Sequence, residues 1–416
     1  MTVFASSNAV TLAMIEEAVY GVVPGSGAMK YLPYTGESLK FSKETTSSSL
    51  IDQSRQVKDV IDIGHEVSGG LDFELAARTY DELFEGALWK RWGTATDVTI
   101  VASVVAATKT ITASIGTPFL NVVAGQFIKF SGMDESANNG VFKVASKTSD
   151  LIIVLESTYT LADETATADV SVKGCMIRNP TTAQAASGSV TLSYYIEKAL
   201  NDLATVHRFS YSGLMVNSFS LSAQASSPIT GSFDFMGKDS ISYATGTKSP
   251  SAITTITGTD VFNAISHLGG IRVDGALMNA AGVYFQGLDF SIANALRGIK
   301  AVGELGNVGV SPGDIGATGS MSPYFANDTM YAKFLAGTKF ALSYELVDAD
   351  GEGYVFSFPN VIISDAGMNS GGKDQDMVEN ISWTALVDPT LGVSVQIDRF
   401  YTDYSLAPDD PTVYSG

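Results

Sequence analysis

Few residues in this chain stand at spacings that support chemistry. The three histidines, His65, His207 and His267, lie far apart and lack the short offsets of a metal site. Each reads as a surface or satisfied core residue. No G-x-S-x-G nucleophile elbow occurs. Gly367 to Lys373 matches G-x-x-x-x-G-K, but Asp374 follows where a phosphate loop needs the Ser or Thr hydroxyl that holds magnesium. A carboxylate there repels phosphate, and the next residues, NISWTALV, read as a strand rather than the required helix. Asp348-Ala-Asp350-Gly351-Glu352-Gly353 resembles a calcium loop only faintly, because the ligand ladder and terminal Glu are missing. It reads as a hairpin turn on Asp-Gly. A carbohydrate site would need exposed aromatics or two facing carboxylates. Trp89, Trp92 and Trp383 instead fall in helix or strand patterns that read as core. The expectation is no enzyme, no cofactor and no metal.

The elements that would position such residues are mostly strands. Apolar residues recur at every second position in Ser38–Lys43, Glu66–Ser68 and Leu71–Leu75, and again in Ser218–Ser222 and Thr230–Phe235. Period two means strands with one buried face. Three helices are expected: Tyr80–Trp89, Asp260–Leu268 with a Thr-Asp start and Gly-Gly stop, and Met330–Leu335.

Composition narrows the class. Hydrophobic residues make up 45 % and charged residues 17 %, enough apolar material for packed cores and too little charge for disorder. The 44 Asp and Glu exceed the 25 Lys and Arg, giving a net charge of −19. A protein that grips nucleic acid needs a basic footprint, and this chain has none on average. An acidic surface suits a protein that touches DNA without retaining it, and also simply aids solubility. The single Cys175 excludes an internal disulfide and reads as a buried free thiol, in keeping with a reducing compartment. MTVFASSNAVTLAMIEEAVYG has acidic residues and no basic n-region, so no signal peptide is expected. No apolar run reaches the length that spans a bilayer.

Internal similarity divides the chain. VTLSYY (190–195) is answered by FALSY (340–344), RFSYSGLMV (208–216) by VFSFPNVII (355–363), and GSFDF (231–235) by ISWTA (381–385). Upstream, SGGLDFEL with YDELFEGAL (68–75, 80–88) is answered by TGSMSPYF with MYAKFLAGT (318–325, 330–338). This order reads as a tandem duplication, with modules at 1–249 and 250–416. Residues 94–174 have no counterpart in the second half. They read as a meander, TKTITASI, GQFIKFSG, VFKVASK, DLIIVLES and ADVSVKG, with a turn at Asn138-Asn139-Gly140. That is an inserted small β-barrel, SH3-like, with its two ends close together and exposed on the outside.

Glu16-Glu17-Ala-Val-Tyr20-Gly21-Val-Val-Pro24 resembles the E-x-x-[YF]-G-x-x-P opening of the tail tube proteins of long-tailed, siphophage-type bacteriophages. Residues 35–59, 64–89 and 208–238 are similar to that family's following strand and long hairpin, its next strand and helix, and its closing strands. The resemblance covers the first half apart from the insert. The second half joins it through the internal repeat. It implies a mainly β fold: tandem duplicated β-sandwich or barrel modules, each with a short flanking α-helix, plus the inserted barrel. It also implies a structural subunit whose strands join neighbours into stacked rings around a lumen that conducts DNA at ejection. With two modules per chain, three chains would make the pseudo-sixfold ring that single-module members make from six.

The expected partners are therefore other copies of the chain, the tape measure, tail terminator and distal tail proteins, and DNA passing without specific binding, with no membrane. The expected location is the virion tail, after synthesis in the host bacterial cytoplasm. Polar strand faces nominate Glu44, Glu66, Asp72 and Glu74 as lumen-facing. The Ser/Thr-rich arm Thr45–Asp59, with Leu50, Ile51, Arg55 and Val57, is the candidate ring-stacking arm, and Leu296–Gly316 would be its counterpart. The alternative is another virion structural protein, a head decoration or tail-terminator subunit.

Overall fold

The alternation read from the sequence carries directly into strands. In β5 (Val60–Glu74), Val67, Leu71 and Phe73 are buried while Asp72 is exposed. Ahead of it lie β1 (Val10–Glu16), β2 (Met29–Tyr31), β3 (Gly36–Glu37) and β4 (Lys40–Ser47), and behind it helix α1 (Asp81–Leu88). Strands β6 (Thr96–Val105), β7 (Thr110–Ala113), β8 (Phe127–Ser131), β9 (Gly140–Ser149), β10 (Ile152–Leu155) and β11 (Glu164–Arg178) follow. A short α2 (Thr182–Ala186) leads to β12 (Tyr194–Leu200), β13 (His207–Gln224), β14 (Thr230–Gly237), β15 (Asp239–Tyr243) and β16 (Ile253–Thr254). The second half holds β17 (Leu268–Val273), β18 (Ala276–Leu277), β19 (Phe285–Ala293), β20 (Arg297–Ile299), β21 (Gly309–Ser311) and β22 (Gly316–Pro323). Helix α3 (Thr329–Ala336), β23 (Phe340–Val347), β24 (Gly353–Asn369), β25 (Val378–Ala385) and β26 (Gln396–Phe400) complete it. The computed structural model describes residues 4–51, 53–186, 190–243, 253–254, 260–369, 372–373 and 376–404. The expected module boundary at 249/250 and the loop residue Asp374 lie outside them.

The protein is mainly β, and one order of strand pairing occurs twice. In the first half β2 pairs β1, β1 pairs β12, β12 pairs β13, β13 pairs β14, and β14 pairs β5, which also pairs β4. In the second, β18 pairs β17, then β23, β24, β25, β22 and β19 follow in the same sequence. β15 closes on the start of β13, as β26 does on the start of β24. Both flanking helices end on a residue in the left-handed region, Trp89 at φ 55° and Gly337 at φ 60°. Glycine holds that conformation without cost, whereas Trp89 is held there by burial. The halves are joined through β13, whose Ser218–Gln224 segment pairs β19 along the edge that its earlier residues give to β12.

Residues 96–174 form a closed barrel of six antiparallel strands in the order β6, β7, β10, β9, β8, β11 and back to β6. Five of these match the strands read from the sequence. The sixth, β6, lies in DVTIVASVV, where nearly continuous apolar residues mask the alternation. Its core is separate and includes Phe119, Ile128, Phe130, Val144, Ile153 and Val172. Its ends meet, since the Gly93 N–H donates to the Met176 carbonyl at 2.9 Å. The barrel also sits against the second half: Phe127 and Val141 pack on Val355 and Phe400, and the Cys175–Arg178 end of β11 pairs antiparallel with β26.

The expected helix at Asp260–Leu268 does not form. Asn263 Oδ1 accepts from the N–H groups of Ile265 (3.0 Å) and Ser266 (2.8 Å), turning the chain locally. Phe262 is drawn into the first half's core, where its N–H donates to Leu75 and its carbonyl accepts from Ile229. A tertiary anchor and an Asx turn thus override helix-like spacing. Other local readings hold. Asp348–Glu352 is the β23–β24 turn, with Glu352 N–H on Asp348 Oδ1 at 2.7 Å and Gly351 at φ 82°. Residues 378–385 after the Gly-rich loop are a strand, and Cys175 and all three tryptophans are buried.

A buried polar cluster fastens the halves. Arg78 forks onto Glu352, with Nε to Oε2 at 2.9 Å. Asp81 at the start of α1 accepts from Arg399 Nη1 (2.8 Å), Tyr354 (2.7 Å) and Tyr401. The Arg399 guanidinium lies 4.1 Å from the Trp92 ring centre. Burial alone would raise the Glu352 carboxyl, but hydrogen bonds from Arg78 and Thr402 outweigh it and hold it below the usual range.

Candidate functional site

The joined sheet β5–β14–β13–β19–β22–β25–β24 has two unlike faces. One is aromatic: Phe73, Phe219, Phe233, Phe290, Phe356 and Phe358 are buried together with Phe84 from α1 and Trp383. Each such ring stabilises the fold by about 1.5–3 kcal/mol. The strand alternation that sends these rings inward sends small polar side chains to the opposite face. Ser220, Ser222, Thr230, Ser232, Ser291, Thr318, Ser320, Ser364, Ser382 and Thr384, with Asp72 and Asp289, line a concavity of about 730 Å³ there. No Lys or Arg is among its lining residues.

These groups hold one another across the strands. Ser220 Oγ and Ser232 Oγ lie 2.8 Å apart. Ser218 donates to Asp234 Oδ2 at 2.8 Å. Gln224 Nε2 donates to Asp289 Oδ1 at 3.0 Å, and Ser320 to Asp289 Oδ2 at 3.3 Å. Cross-strand bonding of this kind fixes short side chains flat against the backbone. The result is a smooth, wet surface carrying carboxylates and no cation. It can hydrate a polyanion but offers nothing to replace that polyanion's counterions.

Of the four nominated acidic residues, Asp72 and Glu74 stand on this face, beside Ser232 and Thr230 of β14. Glu66 lies further up β5, where its charge acts on the buried Tyr20 hydroxyl. Glu44 lies on the β4–β5 hairpin and pairs with Lys300. The two groups are therefore not brought together. The nominated arm residues Leu50, Ile51, Arg55 and Val57 are exposed at the tip of that hairpin. Its expected counterpart, Leu296–Gly316, is instead a folded hairpin of β20 and β21 lying on the first half. The Leu305 carbonyl accepts from His65 N–H at 2.8 Å, and Leu296 packs on Trp89 and Met215. The hydroxyl residues of β13, β14, β19, β22 and β25 were missed as a site. Their alternation was visible, but only the pairing order places them side by side.

Among the described residues no group of three or more His, Cys, Asp or Glu is placed to share a metal, and no helix is long and apolar enough to cross a membrane. An extended sheet with one aromatic and one cation-free hydroxyl face, carrying a docked barrel, defines a β-rich structural subunit. The chain belongs to the phage tail tube protein family, whose profile matches residues 7–385. It is accordingly a structural component of a virion tail. No curated protein matches the chain.

Proposed function

We propose that three copies of this chain, each carrying two tandem tube modules, close a pseudo-sixfold ring, and that rings stack into a siphophage-type tail tube. Its lumen is the hydroxyl face, through which DNA passes at ejection without being held. The observation behind this reading is the β13–β19 junction, where one half continues the other's sheet. The equivalent edges at the chain's two extremes have no strand partner among the described residues. These are β24 beyond Val361 and the side of β3–β4 turned away from β5. Such edges are open to pairing, and a head-to-tail contact that repeats by rotation closes a ring. Within the chain Ser220 faces Ser291 and Phe219 faces Ile292. Carried to the next copy, the Ser218–Ala293 and Phe219–Ile292 pairs set Asp365 against Ser42 and Ala366 against Phe41. The inserted barrel projects outside the wall. The arm Thr45–Asp59 orders against the adjacent ring, and the tape measure, terminator and distal tail proteins meet the tube at its interior and ends.

Disulfide trapping tests the ring. Paired strands hold opposite Cα atoms 4.5–5.5 Å apart, within disulfide reach. Ser220→Cys with Ser291→Cys should close within a chain as a positive control. Ser42→Cys with Asp365→Cys should give covalent dimers and trimers, but only from assembled material. Tubes that form yet yield no cross-link between chains contradict the junction.

A further inference from the structure

The two halves differ at one end. In the first, the segment ahead of β17 crosses the ends of β5 and β14. Val261 bridges Ala76, Asn263 bridges Pro228, and Phe262 is fully buried between them. In the second half no described residue crosses the matching place. Tyr324 bridges Val378 and the Phe325 N–H donates to the Met377 carbonyl at 3.0 Å, as Glu74 pairs Thr230 and the Leu75 N–H donates to the Ile229 carbonyl in the first half. Tyr284, Tyr324, Phe325, Met368 and Met377 are left exposed there. Tyr284 adjoins the patch because its carbonyl accepts from Tyr324 N–H at 2.8 Å. Glu379, paired across from Met368, is 2 % exposed, and its Oε1 has no hydrogen-bond partner among the described residues. In the repeated pairing order Met377 and Phe325 stand where the first half has Ile229 and Leu75, whose N–H and carbonyl meet Phe262.

The chain also carries an unused counterpart of Phe262. Phe4 stands as far ahead of β1 as Phe262 stands ahead of β17, and β1 holds in the first half the place of β17 in the second. Phe262 is 0 % exposed, while Phe4 is 83 % exposed. We infer that in the assembled ring the segment Phe4–Ala9 of one subunit seats Phe4 on the Tyr284, Tyr324, Phe325, Met368 and Met377 patch of its neighbour. The Phe4 N–H then donates to the Phe325 carbonyl and its carbonyl accepts from the Met377 N–H, as Phe262 does with Leu75 and Ile229. The incoming segment lies over the Tyr324–Val378 bridge, ring against ring, so no core has to open. This inference rests on the ring proposed above. It names the second copy as occupant because the chain already covers the matching place in its own first half this way.

The test places photoreactive p-benzoylphenylalanine at position 4 and assembles tubes from a mixture of isotopically heavy and light chains. The expected result is cross-links from position 4 to peptides containing Tyr284, Tyr324–Phe325 or Met377, half of them joining heavy to light chains. Phe4→Asp should raise the subunit concentration needed for assembly on the order of 10- to 100-fold, with Phe4→Leu restoring most of it. Cross-links that stay within one chain or map elsewhere overturn the inference and leave the tube standing, as does unchanged assembly of Phe4→Asp. Failure of the unsubstituted chain to form tubes overturns both.

Discussion

Asp398 occupies the seam between barrel and body, accepting the Phe127 N–H at 3.0 Å and a bond from Gln396 Nε2 at 2.5 Å. Burial pushes its carboxyl up to about 7, against the lowering effects of those bonds and of the Arg178 and Lys143 charges. A folded value above the unfolded one means that ionisation is disfavoured in the fold. Stability from this group is therefore full below pH about 4 and lost as pH rises to about 7. Asp398→Asn should remove that slope. The stability of wild type minus variant should fall by about 2–3 kcal/mol between pH 5 and pH 8 in denaturant titrations, and a constant difference would contradict it. The Asp81 cluster sets the opposite kind of test. Arg399→Met strands a buried carboxylate among Tyr354 and Tyr401 and should cost about 3–5 kcal/mol. A loss under 1 kcal/mol would show that the cluster is not what fastens the halves. None of these buried charges was legible in the sequence, because Arg78, Asp81, Glu352 and Arg399 are far apart along it and nothing local marks them as partners.

At the scale of elements, period-two patterns were readable wherever a strand has one wet face, as in Ser218–Ser222. They failed in β6, which runs apolar. The short helices α1 and α3 were readable from their apolar faces. The false helix at Asp260–Leu268 shows the limit: Phe262 is spaced like a helix residue but is anchored by another element. The barrel's existence and its joined ends were legible because the second half lacks it. Its docking was not, since that depends on Phe127 and Val141 meeting Val355 and Phe400. Joining Gly93 to Cys175 through a short Gly-Ser linker should leave a folded chain that still forms tubes. Its melting temperature should fall by several degrees, as Val355 and Phe400 lose their cover and about 1–3 kcal/mol each. A folded, shortened chain that never polymerises would make the barrel part of the wall. Leu50→Asp with Ile51→Asp on the exposed arm should leave folding intact and abolish stacking. Undiminished tube yield would remove the arm from the stacking contact.

For the whole molecule, VTLSYY and FALSY lie on or beside β12 and β23, and GSFDF and ISWTA lie on β14 and β25, strands that hold the same places in the two pairing orders. The sequence could not rank its carboxylates. Asp72 and Glu74 reach the hydroxyl face, Glu44 and Glu66 do not, and Asp234 and Asp289 emerged only once the strands were paired. Changing Asp72, Asp234 and Asp289 together to Lys should keep tubes intact yet slow DNA ejection most at low salt, where screening is weakest. Unaltered ejection from intact particles would argue against a lumen role. The central claim, that the cation-free hydroxyl face encloses the channel, is tested most directly by cryo-electron microscopy of tubes assembled from this chain. The account predicts three chains per ring, Ser220, Ser232 and Asp289 at the inner radius, and the barrel at the outer one. Tubes with that face turned outward, or with six chains per ring, would contradict it.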